Sequence, residues 1–158
     1  MDYFKTEDLE LFYEKAGNTY NKIIDRSSGD HIRETILKKV SFWGSEAAKR
    51  MSFPLEKRNN WLNPYQAVFT EYAWCRIYPN PEYKQLFFNV ELNSNVQKIV
   101  IKIDCKFSGT NALEEAFVAL FREFINEKTY QGKPVKYYMM DIEQFQSLKL
   151  YQFHALVS

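Results

Sequence analysis

The chain has 158 residues and a mass of 18.9 kDa, the size of one domain. Hydrophobic residues make up 46% and charged residues 26%, with five Gly and five Pro, which excludes a collagen-like, low-complexity or disordered chain. Lys and Arg number 21 against 20 Asp and Glu, so the net charge is +1 and no global field selects a partner.

In chain order, the first half reads as helices. Thr6 can cap a helix whose apolar positions are Leu9, Phe12, Ala16, Tyr20 and Ile23, spaced three and four apart. Ser27-Ser28-Gly29-Asp30 predicts a break. A second helix follows with Ile32, Ile36, Leu37 and Val40 on one face. Gly44-Ser45 predicts an interruption, with Ser45 capping a short helix through Met51, and Pro54 ends regularity.

The period then changes. Residues 66–78 are rich in aromatic and β-branched side chains, as strands are. Pro79-Asn80-Pro81 forms a turn. Residues 84–92 alternate, with Leu86, Phe88, Val90 and Leu92 on one face, and Asn93-Ser94-Asn95 makes a second turn. Residues 97–107 alternate as well. Ile99, Ile101, Ile103, Cys105 and Phe107 point inward, and Lys98, Lys102, Asp104 and Lys106 point to a wet face. Asn111 and Glu114 fit a capping box for a helix near 111–128, with Leu113, Phe117, Leu120, Phe121 and Phe124 as its buried stripe. Residues 135–140 predict a strand, and 141–158 suit a short helix or a strand. The expected fold is therefore α+β, in the order α-α-β-β-β-α-β. N-terminal helices pack with a mainly antiparallel meander that the helix near 111–128 helps to cover. A single domain is expected, helical over 1–60 and sheet-plus-helix over 61–158. The apolar end at Phe153–Val157 fits a docked terminal strand or the edge of a module from a larger protein.

Absent motifs narrow the chemistry. No run of about 18 apolar residues predicts a membrane span, and the acidic N-terminus does not read as a signal peptide. Cys75 and Cys105 read as reduced thiols of a cytoplasmic protein. The chain has no P-loop, no Gly-x-Ser-x-Gly and no Gly-x-Gly-x-x-Gly, and with only two His a zinc site is not expected.

Two constellations carry candidate chemistry. In Asp104-Cys105-Lys106 the outer two residues share a strand face. Carboxylates that hold Mg²⁺ beside a lysine are what metal-dependent phosphodiester hydrolysis needs. A turn centred on Ser94 would place Asp104 opposite Lys84 and Lys106 opposite Glu82. Glu91, opposite Gln97, would lie roughly 20 Å from Asp104, too far to share a metal. Pro81-Glu82, followed after 21 residues by Asp104-Cys105-Lys106, resembles the PD-(D/E)xK nuclease signature, and the order helix, three strands, helix, strand resembles that superfamily's core. The resemblance implies Mg²⁺-dependent cleavage of DNA or RNA, with Glu82 and Asp104 as metal ligands and Lys106 beside the scissile phosphate. The first acid is Glu where Asp is commoner. Without the nuclease, no cofactor is expected, and an amphipathic strand places the same residues on a solvated face.

The second constellation is basic. Residues 37–62 carry Lys38, Lys39, Lys49, Arg50, Lys57 and Arg58 against Glu46 and Glu56, a balance of +4, interleaved with Phe42, Trp43, Phe53 and Trp61. Cations neutralise phosphates and exposed aromatics stack on bases, so Lys38, Lys39, Trp43, Lys49, Arg50, Lys57, Arg58 and Trp61 are candidate nucleic-acid contacts, and Ser45 at a helix start would add backbone N–H groups for a phosphate. Trp43 and Trp61 equally suit packing anchors. Three functions remain open. The leading one is a binding module for nucleic acid or a partner subunit of a multi-component, nucleic-acid-processing system. The others are a Mg²⁺-dependent nuclease and a pure interaction domain that pairs with a protein partner or with itself. None needs a membrane.

Overall fold

The computed structural model describes residues 4–106, 112–127, 129–130, 133–134 and 137–140. They form an α+β fold, as the sequence predicts. Helix α1 (Thr6–Lys15) is followed by α2 (Arg26–Ile32), a π-helical turn (Arg33–Leu37) and α3 (Lys38–Met51), which run on without a break. Strands β1 (Leu55–Lys57), β2 (Leu62–Asn63), β3 (Val68–Phe69), β4 (Tyr72–Ile77), β5 (Leu86–Asn93) and β6 (Lys98–Cys105) come next. Then come α4 (Glu115–Glu127), the β7–β8 pair (Thr129–Tyr130 and Lys133–Pro134) and β9 (Tyr137–Met140). The main sheet has the order β1-β4-β5-β6-β9 and every pair in it is antiparallel.

The N-terminal helices differ from the periodicity reading in three places. Helix α1 stops at Lys15, before the predicted Tyr20 and Ile23, because Gly17 turns the chain at φ +74° and its N–H goes to the Phe69 carbonyl. The N-cap of α1 is Lys5, without a side-chain cap, rather than Thr6. Neither predicted break occurs, since Gly29 lies inside α2 and Gly44 inside α3. Both glycines are there for contact. A Cβ on Gly29 would come within 2.2 Å of the Trp61 ring, and one on Gly44 within 2.4 Å of Cys75 Sγ. A glycine that breaks an isolated helix is tolerated inside one whose neighbour needs the space.

The predicted core stripe holds. Ile32, Ile36, Leu37 and Val40 are buried, and with Ala47 and Ala48 they meet Ala73, Ile77, Val90, Leu92, Ile99 and Ile101 of the sheet. Helix α3 lies on β4 along this face. Helix α4 occupies the expected place near 111–128. Its Phe117, with Leu113 just before the helix, borders a groove with Leu86, Phe88 and Ile103 of the sheet. The predicted buried stripe fails at Phe117 and Leu120, which are exposed, while Val118 is buried. The capping residue Asn111, Phe107 and residues 141–158 lie outside the described residues, as do the side chains of Phe121 and Phe124. No helix among the described residues is long and apolar enough to cross a membrane. Both cysteines are buried, and burial pushes the Cys75 thiol up to about 12, so it stays protonated at neutral pH.

Candidate functional site

The β5–β6 register decides the fate of the acid–lysine constellation. The turn between the strands spans residues 94–97, with Gln97 in the left-handed region at φ 53° and Asn93 Oδ1 accepting the Asn95 N–H at 3.0 Å. This four-residue turn is centred beyond Ser94, so the pairing is offset by three from the expected one. Asp104 faces Phe87, not Lys84, and Lys102 faces Asn89. Lys106 donates its N–H to the Gln85 carbonyl at 2.7 Å instead of lying across from Glu82. Glu82 sits exposed in the turn before β5, its N–H on Asn80 Oδ1 at 2.9 Å. Strand pairing therefore does not bring Glu82, Asp104 and Lys106 together. Asp104 uses one carboxylate oxygen on Lys102 Nζ, at 3.2 Å, and the other on the Cys105 N–H, at 2.8 Å. No group of three His, Cys, Asp or Glu side chains placed to hold a metal ion occurs among the described residues.

The same register creates a cluster that sequence reasoning missed. Lys102 Nζ lies 3.8 Å from Glu91 Oε1 as well as 3.2 Å from Asp104. Glu91 is only 6% exposed, and its Oε2 accepts the Asn89 side-chain N–H at 2.7 Å. Asn93 Nδ2 donates to Oε1 at 3.3 Å. This face of the hairpin, expected to be wet, buries Asn89, Glu91 and Val100. Arg76, opposite Asn89 on β4, lays its guanidinium over the rings of Trp74 and Phe87, at 4.4 and 4.6 Å. Burial of the Glu91 carboxylate is tolerable because an ammonium stands between it and half-buried Asp104. That ammonium occupies the position a bridging metal would need, so the triad as built is an ion-pair network. Glu91 lay on the page in the sequence. Only a turn residue able to take positive φ at position 97 could have signalled that its register was wrong.

The basic candidates divide into held and open residues. Lys38 pairs with Glu34, and Lys39 stands 5.9 Å over the Phe4 ring. Trp43 packs on the core, edge-on to Phe42 at 6.1 Å. Ser45 is mid-helix, so the helix start proposed to bind phosphate there does not exist. Half-buried Arg58 donates to the carbonyls of Asn60 and Leu62, at 3.0 and 3.2 Å, which fixes the chain after β1. Burial and neighbouring Arg76 both lower its pKa. Trp61 is wedged against Gly29, tilted on Phe69 at 5.1 Å and edge-on to Tyr20 at 5.6 Å. Lys49 and Arg50 are exposed in the last turn of α3, where cations suit the helix dipole. Lys57 is exposed on the edge strand β1, and Glu56 beside it accepts the Tyr78 hydroxyl at 2.6 Å. No carboxylate among the described residues pairs with Lys49, Arg50 or Lys57. No protein-family model matches the chain, and neither a curated protein sequence nor a solved structure matches it.

Proposed function

We propose that the chain is a binding module that contacts nucleic acid through the end of α3 and strand β1. One observation carries the reading. Two elements that pack on each other present Lys49, Arg50 and Lys57 to solvent without a carboxylate partner among the described residues. Unpaired surface cations are what a phosphate backbone can recruit, because each contact releases a condensed counterion.

Fluorescence anisotropy with a labelled oligonucleotide tests this. Lys49→Glu with Arg50→Glu should weaken binding of all sequences alike and lower the salt slope by about 2 on duplex DNA. Unchanged affinity and slope would remove the reading. A second reading, docking of a protein partner or a second copy, is favoured by the exposed apolar side chains of Tyr83, Leu86, Phe117 and Leu120 around the groove beside α4. It predicts a complex that light scattering still detects at high salt, where electrostatic contacts are screened.

A further inference from the structure

Two arginines meet where β1 pairs with β4, on the sheet face turned away from α3. Register puts Glu56 opposite Arg76, and the Arg58 N–H on the Trp74 carbonyl at 3.0 Å continues the same pairing, so Glu56, Arg58, Trp74 and Arg76 share one face. Cys75, between the two β4 residues, points to Gly44 of α3 instead. A Glu and an Arg directly across a strand pair are placed to form an ion pair. These two do not. Glu56 accepts the Tyr78 hydroxyl at 2.6 Å, and the Arg76 guanidinium lies over the rings of Trp74, at 4.4 Å, and Phe87, at 4.6 Å. Trp74 is the residue across from Arg58. No carboxylate among the described residues lies within ion-pair distance of Arg58 or Arg76, and Arg76 Nε is buried without an acceptor.

Both guanidiniums are positioned before any ligand arrives. Arg58 spends its Nε–H on the Asn60 carbonyl and one Nη2–H on the Leu62 carbonyl, which leaves the other N–H groups of its fork open. Arg76 rests on two rings. Ordering these side chains therefore adds little to the cost of binding. Their proximity is unfavourable as it stands, since burial and then the charge of Arg76 lower the pKa of Arg58. Glu56 offsets one of the two charges and leaves the face positive by one. Exposed Lys84, whose Nζ stands 5.7 Å over the Tyr78 ring, adds to it. Stacking explains where Arg76 lies but not its missing acceptor.

We propose that Arg58 and Arg76 form an oxyanion site that takes one phosphoryl group. A tetrahedral phosphate has enough oxygens to face two guanidiniums at once, whereas a carboxylate is filled by a single fork. The Trp74 and Phe87 rings keep water from one side of Arg76, where a charge-assisted hydrogen bond is stronger than in bulk solvent. Lys57, between Glu56 and Arg58, faces the other side of the sheet, across from Cys75. The site is thus separate from the basic surface at the end of α3 and does not depend on the nucleic-acid reading. A free phosphate and a nucleic-acid backbone share the chemistry it recognises.

The Nε–H cross-peaks of Arg58 and Arg76 in ¹H–¹⁵N NMR spectra test the proposal, since one group is hydrogen-bonded and the other buried. Inorganic phosphate should move both peaks of the wild type along one saturating curve, and sodium chloride at equal ionic strength should leave them in place. Arg76→Lys keeps the charge but not the fork and should raise the midpoint read at Arg58 at least tenfold. Should that variant not fold, Arg58→Lys read at Arg76 decides the same point. A second titration with a twelve-residue oligothymidylate separates the sources. If the strand moves the same two peaks, the site takes a backbone phosphate; if inorganic phosphate alone moves them, it takes a free phosphoryl group, and the proposal holds in both cases. It is overturned if neither probe moves the peaks, if chloride moves them as far, or if the Lys variant leaves the midpoint unchanged. Each of those results leaves binding through Lys49 and Arg50 to be judged by its own salt slope.

Discussion

Gly44→Ala tests the helix–sheet packing on which every site above depends. At an open position in the middle of a helix this change stabilises by up to about 1 kcal/mol, since Ala has the better propensity. Here the new Cβ would stand 2.4 Å from Cys75 Sγ and 2.5 Å from Cys75 Cβ. Carbon and sulfur need roughly 3.5–4 Å. The sulfur can turn about χ1, but the Cβ–Cβ clash cannot be relieved by rotation, because one Cβ is fixed to α3 and the other to strand β4. The helix must lift by an ångström or more along a face where Ala47, Ala48, Ala73 and Ile77 are fully buried. Overpacking of this kind costs about 1–3 kcal/mol. Taking the upper part of that range against the propensity gain leaves a loss of about 2 kcal/mol, or about 4–8 °C in Tm for a chain of this length. Thermal unfolding followed by circular dichroism measures it. Cys75→Ala in the same chain removes the sulfur and should recover about 1 kcal/mol of the loss, a coupling that only direct contact produces. A Gly44→Ala protein more stable than wild type, or equally destabilised with and without Cys75, would refute the close approach of α3 to β4.

Other expectations follow from the polar groups. Lys102→Met takes the ammonium away from buried Glu91 and half-buried Asp104 and should cost about 1–3 kcal/mol in urea unfolding; a loss under about 0.5 kcal/mol would mean that the cluster is not held as described. His31→Ala strips the partner from buried Asp8, whose Oδ1 lies 2.7 Å from the imidazole, and should lower stability by about 1–3 kcal/mol, with the urea midpoint as readout. In alkaline solution the fold favours the protonated Cys75 thiol, raised to about 12 by burial, while the unfolded chain ionises it near 9. Its contribution is thus intact below about pH 9 and is lost as pH rises toward 12, at up to ~1.4 kcal/mol per pH unit, and Cys75→Ala should flatten the onset of alkaline unfolding. Finally, incubation of the protein with Mg²⁺ and plasmid or RNA should give no cleavage that Lys106→Ala removes; cleavage lost in that variant would return Glu82, Asp104 and Lys106 to the centre of the function.

The sequence alone carried the α+β class, the antiparallel meander and the apolar positions of the central helix and strands, because these rest on periodicity, which is local. Ile32, Ile36, Leu37 and Val40, or Leu86, Phe88, Val90 and Leu92, need no knowledge of the rest of the chain to be assigned a common face. Lys49, Arg50 and Lys57 could likewise be named as members of a locally basic stretch, though not told apart there from Lys38, Lys39 and Arg58, which the fold holds. What tertiary structure decided were the quantities set by a neighbour far away in sequence. Gly29 and Gly44 look like helix breakers until Trp61 and Cys75 arrive to occupy the space of the missing side chains. Glu91 and Asp104 look remote until the turn at residues 94–97 adds its length and slides β6 by three positions, which puts Lys102 between them. Trp61 reads as a free base-stacking ring until Gly29, Phe69 and Tyr20 close on it. Pattern fixes which side a residue faces; register and approach distance, which depend on turns and packing, decide whom it meets.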